Sequence, residues 1–109
     1  MPENVPPPDG TGGIEVLILE LTFPIGQLVA TPGALEALAR SGHSISDFLG
    51  LHTVRNWGDL DEDDRASNDH SVDHGGRLLS AYTMRDGARL WIITEADRFV
   101  TTLLLPCEY

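Results

Sequence analysis

Residues 77–95 read RLLSAYTMRDGARLWIITE. Two apolar runs, Arg77 to Met84 and Ala88 to Glu95, flank Asp86-Gly87, a dipeptide that supplies the positive backbone angles a two-residue hairpin turn needs. Such a turn sets Met84 against Arg89, Tyr82 against Trp91 and Ser80 against Ile93, with the Tyr82–Trp91 pair pinning the register. Ala96-Asp97 reverses the chain again. Phe99 to Leu105, rich in Thr, Val and Leu, then makes a third antiparallel strand that Pro106 ends. The C-terminal third reads as a three-stranded meander.

Upstream of it the periodicity changes to helical. Thr31-Pro32-Gly33 opens a helix, because the Thr hydroxyl can accept a free N–H and Pro suits the first helical position. Leu35 and Leu38 mark its apolar face, and Gly42 closes it. Ser44 with Asp47 three residues on caps a second helix, in which Ile45, Phe48, Leu49 and His52 share one face. After the Trp57-Gly58 break, Asp59 and Glu62 show the same capping spacing. They predict a helix from Leu60 to about His74 that is polar almost all round, with Leu60, Ala66 and Val72 as its apolar residues and Gly75-Gly76 as its end. Toward the N-terminus, Gln27 to Ala30 reads as a short strand and Ile14 to Leu21 as a β-branched one. Residues 1–13, with four Pro and three Gly, read as a flexible leader. The expectation is one α+β domain over residues 14–109, with two short strands, two to three helices and the meander.

Charge narrows the function classes. The chain has 109 residues and a formal net charge of -10, and its 17 acids face seven basic residues, all of them Arg. So little positive charge disfavours direct binding to nucleic acid, which Lys and Arg drive by displacing counterions from phosphates. GC-rich codon use or a high-salt host would produce the same composition. Cys107 is the single cysteine, so no intramolecular disulfide can form, and neither a signal peptide nor a membrane-spanning stretch is apparent. A cytoplasmic protein is expected.

The acids gather after Trp57. Asp59, Asp61 and Asp63 match the first ligands of an EF-hand loop, but Asp64 stands where that loop needs Gly and His70 where it needs Glu. Acids in a first helical turn complement the helix dipole without any metal. His70 and His74 have a metal-ligand spacing yet lack the H-E-x-x-H pattern, so no metal or cofactor is assigned. Trp57 packs at the core edge or anchors a partner. The turn Thr94 to Arg98 carries Glu95, Asp97 and Arg98, ingredients of acid–base chemistry and equally of a self-bonded turn. No G-x-S-x-G elbow and no phosphate-binding loop occurs, so no catalytic residue is assigned.

Three stretches carry a resemblance: GQLVATPGAL from Gly26 to Leu35, WGDLDEDD from Trp57 to Asp64, and WIITEADR from Trp91 to Arg98 with Thr101-Thr102 following. In order and spacing they resemble a family of small uncharacterised bacterial proteins, often encoded on plasmids and other mobile elements. The similarity covers nearly everything from Phe23 to Tyr109. That family has no established activity, so the resemblance transfers no catalytic residue; it implies a part in the contest between mobile elements and host defence. The Pro-rich leader and Phe99, where a small polar residue is expected, depart from the pattern.

These readings favour a small acidic, non-catalytic binding protein, an anti-defence inhibitor or DNA mimic. It would offer Trp57, Asp59, Asp61, Glu62, Asp63, Asp64, Asp69 and Asp73 to a basic surface on a nucleic-acid-handling partner. Glu95, Asp97 and Arg98 form a secondary candidate site. The alternative is a metal-assisted hydrolase or nuclease drawing on Asp59, Asp61, His70, His74, Glu95 and Asp97. A third reading is a homo-oligomer joined through an exposed strand edge.

Overall fold

The computed structural model describes residues 21–109. The leader and the expected strand over Ile14 to Leu21, apart from Leu21 itself, lie outside them. A four-stranded sheet contains β1 (Gln27–Ala30), β2 (Leu78–Thr83), β3 (Arg89–Thr94) and β4 (Val100–Leu104) in the order β1-β4-β3-β2. Helices α1 (Pro32–Ser41), α2 (Ile45–Thr53) and α3 (Glu62–His74) come between β1 and β2. This is an α+β fold. The meander is present as expected, and β1 joins it by pairing parallel to β4.

The first two helices start where their caps direct. Thr31 Oγ1 accepts the Ala34 N–H at 3.0 Å, and Asp47 Oδ2 accepts the Ser44 N–H at 3.0 Å. Ala34, Ala37 and Leu38 form the buried face of α1, while Leu35 is 47% exposed. Small residues thus set the close approach of α1 to the sheet, and Leu35 is not part of the core. α3 begins two residues later than the Asp59 reading implies. Its cap is Asp61, whose Oδ1 accepts the Asp64 N–H at 2.8 Å, while Asp59 accepts the Thr83 hydroxyl at 2.8 Å.

The hairpin departs from expectation by one residue. Met84 N–H donates to Ala88 O and Gly87 N–H to Met84 O, with Gly87 at φ 88°. The loop is therefore three residues, Arg85-Asp86-Gly87, and Asp86 Oδ1 holds it by accepting the Ala88 N–H at 3.0 Å. Tyr82 now pairs with Leu90 and Ala81 with Trp91. Because side chains alternate along a strand, that single step puts Tyr82 and Trp91 on opposite faces of the sheet. The predicted aromatic pair does not form.

One face of the sheet packs against α1 and α2, where Tyr82, Met84, Leu90, Ile92 and Leu103 meet Ala34, Ala37, Leu38 and Phe48. A second cluster, Phe23, Trp57 and Leu78 with Ile25, Leu60 and Val72 around it, fills the space toward α3. Between the two clusters lies a chain of buried polar side chains. Thr101 Oγ1 donates to Ile25 O at 2.7 Å, so Thr94, 2.8 Å away, must donate to Thr101. Thr94 then accepts from His52 Nε2 at 2.9 Å, and His52 Nδ1 accepts from Ser80 Oγ at 2.5 Å. Every proton has one place, which fixes the imidazole as the neutral Nε2–H tautomer. Burial holds the pKa of His52 down to about 4.

Candidate functional site

α3 is an amphipathic helix only in a weak sense, and polar ties dock most of it. Its one buried residue is Asn68. That side-chain amide donates to Leu79 O at 2.7 Å and accepts from Leu79 N–H at 3.2 Å, imitating a neighbouring strand on the outer edge of β2. Trp57 Nε1 donates to Asp69 Oδ1 at 3.0 Å. At the other end the Arg98 guanidinium donates to Ser71 O at 2.8 Å and to Gly76 O at 2.6 Å, pinning the helix C-terminus to the β3–β4 turn. Replacing Asn68 by Ala leaves the partly buried N–H and C=O of Leu79 without these partners, and a loss of about 1–3 kcal/mol in denaturant unfolding is expected.

All seven acids of residues 59–73 lie on the exposed surface. They divide into two sets. Asp59, Asp61 and Asp69 take up hydrogen bonds that hold the fold. Glu62, Asp63, Asp64 and Asp73 make no side-chain hydrogen bond or ion pair with any described residue. Those four supply charge that no described residue engages, opposed on the helix by Arg65, which donates to Leu60 O.

Trp57 does not join them. It is 2% exposed, stacks on Phe23 at 6.0 Å and meets the His52 ring edge-on at 5.5 Å. Of the two readings of this residue, the core one describes its place; in this packing it offers no ring to a partner.

The secondary candidates do not form one cluster. Glu95 pairs with Arg77 at 3.5 Å, and Asp97 Oδ1 accepts the Phe99 N–H at 2.9 Å. Arg98 turns away from both carboxylates. It adopts φ 64°, a conformation costly for a residue with a Cβ, and its guanidinium binds carbonyl oxygens of Glu95, Ser71 and Gly76. Nor do the proposed metal ligands converge. His70 and His74 stack at 4.1 Å, and His74 Nδ1 is bonded to His70 O at 2.9 Å. Among the described residues no three His, Cys, Asp or Glu side chains could hold one metal ion.

Two arrangements escaped the sequence reading. Ser80 and His52 have the separation of a nucleophile and its base, yet both are fully buried, so no substrate reaches them and their work is structural. On the sheet face away from the helices, Arg77, Leu79, Trp91, Ile93 and Tyr109 line a hollow of about 250 Å³. Its rings meet edge-on at 5.6 Å, and Arg77 is already engaged by Glu95 and by the Tyr109 hydroxyl, so the hollow presents mainly apolar surface. The register shift creates this hollow by turning Trp91 outward, and nothing in the linear sequence signals it.

Fold and site together define a class: an α+β protein with an acidic surface helix held on by polar contacts. No family model matches the chain, and no curated protein or solved structure shows significant similarity to it. Among the described residues no helix is long and apolar enough to cross a membrane.

Proposed function

We propose that this protein is a non-catalytic acidic binding protein of the cytoplasm. Its α3 face engages a basic surface on a nucleic-acid-handling protein and competes there with nucleic acid. The observation that carries this reading is the set of four exposed acids Glu62, Asp63, Asp64 and Asp73 that no described residue engages, with Asp59, Asp61 and Asp69 beside them. A helix that buries so little apolar surface has its outer face free for a macromolecule. Opposite charge on the partner steers encounter and makes the contact sensitive to salt. The single cysteine of the chain suits a reducing compartment.

The variant Glu62→Gln, Asp63→Asn, Asp64→Asn, Asp73→Asn tests it. Each neutralised acid of the first turn costs about 0.3–1 kcal/mol of dipole stabilisation, offset in part by relief of repulsion between like charges, so the fold is retained. The wild type captures from lysate a partner that duplex DNA or raised salt displaces, and the variant captures none. A partner held equally by the variant, or held undiminished at high salt, overturns the reading.

A further inference from the structure

The two edges of the sheet are unlike. On β2, Leu79 has both backbone groups taken by Asn68, and Ala81 donates to Trp57 O at 3.1 Å and accepts from Asp59 N–H at 2.6 Å. That edge is closed at Leu79 and Ala81, which leaves only Thr83 at its end outward-facing. On β1, Gln27 N–H donates to Phe99 O at 2.8 Å and Thr31 N–H to Leu103 O at 3.0 Å, so odd-numbered residues face β4. Strand alternation then aims the N–H and C=O of Leu28 and Ala30 away from the sheet, where none of the described residues takes them. Open edges in monomers usually carry a charge, a proline or a bulge that prevents pairing. Gln27-Leu28-Val29-Ala30 has none of these, and Leu28 and Val29 remain 38% and 37% exposed.

We infer that the outer edge of β1 joins two copies of this chain by antiparallel pairing about a twofold axis. Leu28 of one copy faces Ala30 of the other, exchanging both backbone hydrogen bonds. Ala30 and Leu28 do the same on the far side of the axis, and the two Val29 residues meet at its centre. The edge is self-complementary in this register, as an isologous interface requires. Charge distribution selects a second copy as the occupant. The chain carries -10 overall, so copies repel, but β1 itself is uncharged and the acid-rich α3 packs at β2, three strand spacings or about 14 Å across the sheet. Pairing through β1 leaves the acidic helix of each copy at the opposite edge of its own sheet, away from the interface. The inference does not depend on the partner proposed above.

Sedimentation of the full chain across a wide concentration series tests it. The dimer fraction rises with concentration and is unchanged or strengthened by salt, which screens repulsion between the copies, whereas salt weakens the acid-led contact of α3. Leu28→Pro removes an outward N–H that β4 does not use, and Leu28→Lys adds a charge to the edge. Each shifts dissociation by about tenfold or more. Should Leu28→Pro fail to fold, Leu28→Lys with an unaltered circular dichroism spectrum carries the test. Val29→Cys in a Cys107→Ser background closes a disulfide between copies by exchange with added oxidised glutathione, which leaves as the reduced thiol, because directly opposed residues of a non-hydrogen-bonded pair lie within bonding reach. A monomer at every concentration, including one whose own residues 14–20 take the edge, overturns the inference. So does a dimer that both Leu28 variants leave intact or that Val29→Cys does not cross-link.

Discussion

Trp57→Ala is expected to lower the free energy of unfolding by about 3–5 kcal/mol, the range for deleting a large buried ring. For a domain of this size that is a fall in Tm of roughly 15–25 °C. The ring is 2% exposed, packs against Phe23 and His52, and donates its indole N–H to Asp69. The cavity left behind would border the polar chain through His52 and the root of α3. Trp57→Phe keeps most of the apolar area and loses the hydrogen bond, so a smaller cost of about 1–2 kcal/mol is expected. Chemical denaturation of both variants separates a core role from a surface one. A Trp that served only a partner would change stability by no more than about 0.5 kcal/mol.

Acid should act through His52. Its folded pKa, about 4, lies below the ordinary value of 6.5 because burial penalises the imidazolium. The unfolded chain therefore binds more protons than the native one between those values, and stability rises with pH there. The contribution is complete above pH 6.5 and is lost as pH falls toward 4. A shift of about 2.5 units at 1.36 kcal/mol each corresponds to roughly 3 kcal/mol. Geometry agrees with this sign, since an imidazolium would aim a second N–H at Ser80 Oγ, whose own proton already points at the ring. His52→Leu strands the Ser80 hydroxyl and costs about 2–4 kcal/mol at pH 7. It also flattens the pH dependence, so the gap to wild type narrows as pH approaches 4. A constant gap across that range in urea titrations refutes the assignment. The carboxylates act in a more acid window. Asp47 is lowered by the Ser44 N–H, Asp86 by the Ala88 N–H and Glu108 by the Thr31 hydroxyl. Their contributions are lost only as pH falls through those lowered values.

The candidate site was legible in composition and hidden in arrangement. The acids after Trp57 could be read as surface residues because a first helical turn rich in Asp and Glu suits a solvated helix start. Which of them the fold uses could not. Asp59 and Asp69 look like Asp63 and Asp64 in sequence, and only contacts with Thr83 and Trp57, from other parts of the chain, separate them. Asn68 gives no sequence signal either. A lone Asn inside a polar helix reads as solvent-facing until a strand edge comes to lie against it.

Sequence alone determined the caps of α1, the start of α2 and the end of α3, though not the start of α3, since Thr31, Ser44 with Asp47, Gly42 and Gly75 act through groups within a few residues of themselves. It also determined the meander and the sign of the surface charge. Tertiary structure decided the face of each strand, because one extra residue in the Arg85–Gly87 loop reverses every side chain beyond it. It decided the pairing of β1 with β4, a contact between segments about seventy residues apart that no local propensity encodes. It set His52 among Ser80, Thr94 and Thr101 as well, because a buried imidazole is stable only where distant strands bring it partners.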